Sequence, residues 1–270
     1  GLATPPIQPA VRTIYPKMVN SRQLTPLFSL DASAQEIIWI AGPVITTFLA
    51  IQIAPPVAIS VAGLFLLGGG VWFLASPEVG SVRIPPSRRR LGSVLSNGAV
   101  LLSTIVGFLL IGSAAAVEVA VVSVFGDEGA EAGILLSMWA IASLIGGLGL
   151  GGIPIGPWAM TTRMMIVAVG MLLAMASTNF WWLLFSLAIA GAGIAPALAV
   201  MFAIVSASVK FSETAEAYGW VGSGQLIGAA LGSAVAGFAI DAFGSLGGFC
   251  TALTFAVVGT LVAALSTRAH

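Results

Sequence analysis

Glu118 stands inside a long apolar run, about 11 Å by helix rise from the end of that run near Phe125. A carboxylate in hydrocarbon costs a few kcal/mol and faces a cavity or a partner. Two roles fit it. As a group that takes up a proton when desolvated, it would serve proton-coupled transport or contact a substrate. As a packing or gating carboxylate, it would bond a neighbouring helix. Asp31, Gln35 and Glu36 form a second polar group. Asp31 and Gln35 are four residues apart and share a helical face. Acidic groups suit a helix N-terminus, so capping or a salt bridge between helix bundles is expected here. Glu213 and Glu216, before Tyr218, read the same way and form a possible gate with Lys210. Gln225, Trp139 and Trp220 are candidates for a cavity wall, the tryptophans by stacking on an aromatic or cationic substrate or by filling interhelical space.

Other chemistries are poorly provided for. The only histidine is His270, the last residue, which removes a Ser-His-Asp triad and most zinc sites. The one cysteine, Cys250, lies in an apolar run and is expected to pack. No metal site, cofactor or enzymatic activity is expected. The formal net charge is zero, and nothing points to nucleic acid.

The elements that must position these residues follow from composition. Of the 270 residues, 58% are hydrophobic and only 7% charged. A soluble domain carries about 25% charged residues, so this surface belongs in lipid. A spanning helix needs about 20 apolar residues. Stretches of that kind run over 36–53, 56–75, 98–122, 132–151, 162–178, 181–207, 219–241 and 246–266. None alternates with period two, so the fold class expected is an all-α polytopic membrane protein. Gly42-Pro43 and Pro196 are expected to break helix interiors. Gly224, Gly228 and Gly232 form a small-xxx-small ladder that packs helices, as do Gly147 and Gly151 with Gly152. Trp181 and Trp182 sit where interfacial belt residues belong.

With eight spans, all ten lysines and arginines fall on one side. They are Arg12, Lys17, Arg22, Arg83, Arg88, Arg89, Arg90, Arg163, Lys210 and Arg268. Asp127, Glu128, Glu131 and Asp241 fall on the other. The positive-inside rule places the basic side, and both ends of this segment, in the cytoplasm. The Arg88-Arg89-Arg90 run in the loop 76–97 anchors that topology at anionic headgroups. A repeat is also visible at an offset of 190 residues. Gly1, Pro6, Ile14, Val19, Ser33, Gln35, Ile37, Gly42 and Phe48 all recur, nine identities where roughly four are expected by chance. The offset covers six spans, the unit of parallel-repeat transporters.

With this topology the chain resembles the major facilitator superfamily, in its bacterial drug and small-molecule efflux branch. The residues that carry the resemblance are LDASAQEIIWIAGP (30–43), the segment 113–148, and AGAGIAPALAVMFAIVSASVKFSETAEAYGWVGSGQLIGAALGSAVAGFAIDAFG (190–244). It implies that the eight spans are helices five to twelve of a twelve-helix fold of two six-helix bundles. Residues 1–6 would be the tail of helix four, 1–75 the end of the first bundle, 76–97 the central loop and 98–270 the second bundle. It implies a transporter of the bacterial inner membrane, monomeric when complete. Small-molecule efflux would be exchanged for protons by alternating access. Gly42-Pro43 then resembles the helix-five motif associated with export. The loop 147–163 keeps the glycines and one arginine, Arg163, but lacks the family's Gly-Asp-Arg-Gly-Arg motif, whose first-half copy would precede this segment. A non-transporting remnant of such a protein is the alternative.

Overall fold

The computed structural model describes residues 7–77, 79, 91–126 and 130–267, apart from the side chains of residues 21, 39, 40, 43, 44, 47 and 51. Among them are nine α-helices and no strand. They are α1 (Ile7–Met18), α2 (Ser21–Gln52), α3 (Pro55–Ala75), α4 (Gly98–Phe125), α5 (Ala130–Leu150), α6 (Ala159–Ala174), α7 (Phe180–Ser208), α8 (Phe211–Phe243) and α9 (Ser245–Thr267). Six of these, α3, α4, α5, α7, α8 and α9, are long and apolar enough to cross a membrane. The structure thereby defines an all-α protein of the multi-pass membrane kind. Residues 1–6, the Arg88-Arg89-Arg90 run, Asp127, Glu128, Arg268 and His270 lie outside the described residues.

Three of the expected spans differ in extent. The stretch 219–241 lies within α8, a helix of 33 residues that starts at Phe211. The stretch 36–53 is the second half of α2, a helix of 32 residues that starts at Ser21. Its start is fixed by a capping box. The Asn20 side chain accepts from the backbone N–H groups of Arg22 and Gln23, both at 3.1 Å, and Gln23 Oε1 accepts from Asn20 N–H at 3.4 Å. The expected span 162–178 is the 16-residue α6, which ends at Ala174. Ser177 and Asn179 turn the chain there. Asn179 then caps α7 by accepting from Trp181 N–H at 3.0 Å. Helices α2 and α7 run on without interruption through Gly42-Pro43 and Pro196.

Helices α4–α9 pack on one another as a bundle. Its tightest contact is α4 on α8, made by the ladder Gly224, Gly228 and Gly232, all buried. A Cβ added at Gly224 would lie 2.8 Å from the Thr104 carbonyl oxygen. At Gly228 and Gly232 it would overlap the carbonyls of Phe108 and Gly112. Hydrocarbon offers no hydrophobic drive between helices, so such close backbone approach supplies the association. A 3₁₀ turn, Ser93–Ser96, leads into α4, and Gly92 before it takes φ 86°, a left-handed conformation that favours glycine.

Helices α1 and α2 dock on this bundle, α1 on α8 and α2 on α5 and α7. Helix α3 packs on α2 and is largely exposed. The helix boundaries repeat at the 190-residue offset. The end of α1 at Met18 matches the end of α7 at Ser208. The starts of α2 and α3 at Ser21 and Pro55 match the starts of α8 and α9 at Phe211 and Ser245.

Replacing Gly228 with Leu forces a side chain into the Phe108 carbonyl. Overpacking costs roughly 1–3 kcal/mol, and more where backbone must move. We expect a clear drop in melting temperature in detergent for Gly228→Leu. Gly237→Leu, at a glycine with open space around it, should leave the melting temperature near that of the parent.

Candidate functional site

The polar residues named from the sequence fall into separate places. The first is a cluster toward the basic end, where α1 and α2 meet α7 and α8. Arg12 is buried, and its Nε lies 2.8 Å from Asp31 Oδ2. Tyr15 donates its hydroxyl to Asp31 Oδ1 at 3.0 Å, and Gln35 Nε2 reaches Oδ2 at 3.5 Å. This ion pair joins α1 to α2. Asp31 lies ten residues into α2, so it is no cap. Its salt-bridge partner is on α1 rather than in the opposite bundle. Burial and the Asp31 carboxylate push the Tyr15 phenol above its ordinary pKa.

Aromatic rings surround the ion pair. The Arg12 guanidinium carbon stands 3.7 Å from the Phe202 ring centroid. Phe28, fully buried, lies 5.7 Å from Tyr15, 6.3 Å from Phe202 and 6.2 Å from Tyr218, centroid to centroid. Tyr218 donates to the Phe202 carbonyl at 2.9 Å. Two of these contacts join residues one repeat apart, Arg12 with Phe202 and Phe28 with Tyr218.

The second place is the joint between α2 and α5. Ser29, Ser33 and Glu36, spaced four and three apart, form one stripe on α2. A Cβ at Gly151, just past the end of α5, or at Gly147 within it would overlap the hydroxyls of Ser29 or Ser33. Ser29 also donates to the Gly147 carbonyl. One turn further, Glu36 Oε1 accepts from Ser143 Oγ at 2.8 Å, and that oxygen accepts from Ala195 N–H of α7 at 3.0 Å. Pro196 is next along α7. Its missing N–H would have bonded the Ala192 carbonyl, and Gly146 of α5 packs against that oxygen instead.

The remaining candidates are dispersed. Glu118 is exposed on the outward face of α4, one turn before the exposed Val122, with no hydrogen-bond partner among the described residues. Glu216 Oε1 accepts from Gly92 N–H at 2.6 Å, and Trp220 lies beside that glycine, so both hold the end of the linker against the bundle. Glu213 is buried in the first turn of α8, and Lys210 precedes that helix as its N-cap residue. Lys17 lies 4.9 Å over the Phe211 ring. Trp139 is buried against Gly191 of α7. Gln225 packs beside Gly107 of α4, and its Nε2 is buried without a partner. Gly42 has open space around it. Trp181 is 73% exposed, as a belt residue would be, and Trp182 donates to the Leu173 carbonyl at 2.7 Å. Cys250 is exposed. No group of acidic, histidine or cysteine residues among the described residues could hold a metal.

Sequence reasoning did not single out Arg12, Tyr15, Phe28, Ser29, Ser33, Ser143 or Phe202 as members of a site. The capping box at Asn20 and Gln23 was the available signal, since a helix begun there aligns Ser29, Ser33 and Glu36. No protein-family model matches the chain, and no curated protein matches it significantly in sequence. Its class accordingly rests on the physics of its helices: a multi-pass, all-α membrane protein.

Removing one partner of a buried ion pair costs about 3–5 kcal/mol because the other charge is left uncompensated. We expect Asp31→Leu to destabilise by about 3 kcal/mol in denaturant unfolding from micelles. The double variant Arg12→Met, Asp31→Leu should recover much of that loss.

Proposed function

We propose that this chain forms helices five to twelve of a twelve-helix secondary transporter of the major facilitator type, exporting a small molecule in exchange for protons by alternating access. The observation that carries the reading is the coincidence of helix boundaries at the 190-residue offset. Parallel repeats related by an axis along the membrane normal are a transporter architecture. Contacts between residues one repeat apart fit two units facing each other across such an axis. The described contacts between α1–α2 and α7–α8 gather at the basic end, as they would in a state closed toward the cytoplasm. In this reading residues 1–75 end the first unit, 76–97 link the units, and 98–270 form the second.

Glu118 is the proposed proton or substrate group. It is a carboxylate on the outward face of α4 with no hydrogen-bond partner among the described residues, which is where a second unit and a central cavity would lie. The protein would reside in the bacterial inner membrane, with lipid, protons and a small-molecule substrate as its partners.

The test is transport by the complete coding sequence in proteoliposomes under an imposed pH gradient, screened against cationic and neutral drugs. Substrate-dependent proton movement is the expected result. Its absence for every compound, with the protein folded and inserted, favours a non-transporting remnant. Glu118→Gln should reduce proton-driven export to background, and export at the parental rate would remove Glu118 from the coupling role.

A further inference from the structure

The joint between α2 and α5 contains a carboxylate that the ion-pair cluster does not use. At its basic end the joint is made of Ser29 and Ser33 against Gly151 and Gly147, with almost no space between the backbones. One turn deeper the same stripe presents Glu36, 8% exposed, to Ser143. No cation pairs with it among the described residues. Asp31 lies about 7.5 Å away along α2 and is satisfied by Arg12 and Tyr15 of α1. On α5 the one charged residue is Glu131, in the first turn of the helix and twelve residues from Ser143. Helices α7 and α3 carry no charged residue. Arg163 of α6 lies behind α7, where its backbone carbonyl faces Gly193. The other charges on α1 and α2 are Lys17, over Phe211, and Arg22, exposed in the first turn of α2.

We propose that Glu36 is a proton-binding site in this joint, protonated while α2 is seated on α5 and ionised when the two part. The inference rests on the transporter reading only in requiring that α2 and α5 can separate. A carboxylate anion sealed between two helix faces, with one hydroxyl donor and no cation, is strongly disfavoured. The neutral acid still accepts from Ser143 and has no charge to solvate. Parting the helices admits water from the basic side, and the anion is then the stable form. Each closure takes one proton from that side and each opening returns it, with no other bond made or broken. Ser143 relays the state of the carboxyl to the backbone of α7 beside Pro196. Glu118 faces elsewhere, on α4, and is not part of this site.

The experiment reads opening directly. In the full-length protein in inside-out vesicles, with Cys250 and any cysteine outside this segment replaced by serine, Ser33→Cys places a thiol in the closed joint. Its labelling by an impermeant maleimide is followed against pH, with and without Glu36→Gln. The ratio of the two labelling rates cancels the thiol's own ionisation. That ratio should rise with pH by up to about tenfold per unit, the limit for one linked proton. A flat ratio, with both proteins labelled, overturns the proposal and leaves the transporter reading standing. No labelling of either protein at any pH overturns both, because the joint then does not open. The same series at Ser29→Cys guards against misfolding of the first variant. Difference infrared spectroscopy on a pH jump should show a carboxylic-acid C=O band that Glu36→Gln removes and Glu118→Gln retains. If Glu36→Gln leaves every such band in place, the proposal fails.

Discussion

Backbone touching backbone through glycine is the contact on which the arrangement depends. In lipid, two apolar helices gain nothing by leaving hydrocarbon for each other, so their association must come from closeness and shape. Gly224, Gly228 and Gly232 place one face of α8 on the carbonyls of Thr104, Phe108 and Gly112. Gly170 of α6 meets the backbone of Ala190 on α7, and Gly193 of α7 meets Arg163 and Val167 of α6. Each such contact removes the volume of a side chain and lets dispersion act over many atoms. The bundle α4–α9 is held in this way on several of its faces.

The joint with α2 uses the same device with one change. On α5 and just past its end the residues are again small, Gly147 and Gly151, but α2 answers with the hydroxyls of Ser29 and Ser33 rather than with backbone. Hydroxyls can exchange a protein partner for water, whereas a carbonyl buried within a helix contact cannot reach it. The α4–α8 contact is in that sense permanent, and the α2–α5 contact is suited to come apart. The ion pair of Arg12 with Asp31 ties α1 to α2.

The sequence made the gross architecture legible, because hydrocarbon imposes a coarse rule that composition alone can satisfy. Six of the eight apolar stretches are long spanning-type helices, five of them within a few residues of their expected limits and the sixth, α8, starting eight residues early at Phe211. The glycine ladder on α8 was readable for the same reason, since spacing fixes a face. The entry of α2 was misjudged because apolarity marks where lipid begins and not where a helix begins. Asn20 and Gln23 set that point fifteen residues earlier than the apolar run. The cluster around Arg12 was invisible because it is assembled from four helices, and a basic residue in a polar segment reads first as a topology signal. Glu36 was read as a helix-mouth residue. Its true neighbour, Ser143, is 107 positions away, and no local pattern joins them.

Phe28 facing Tyr218, and Arg12 facing Phe202, join positions one repeat apart. When two identical chains pair about a two-fold axis, a residue beside the axis meets its own copy. An aromatic ring tolerates that, and Phe28 with Tyr218 still has the form of a self-contact. An arginine does not, because its copy would bring a second buried positive charge against it. Position 12 departs from that form, since its guanidinium meets the Phe202 ring rather than a second guanidinium. A cation over an aromatic face is a contact that two unlike partners make and two like ones do not, so this meeting of helices has a direction that a self-contact would lack.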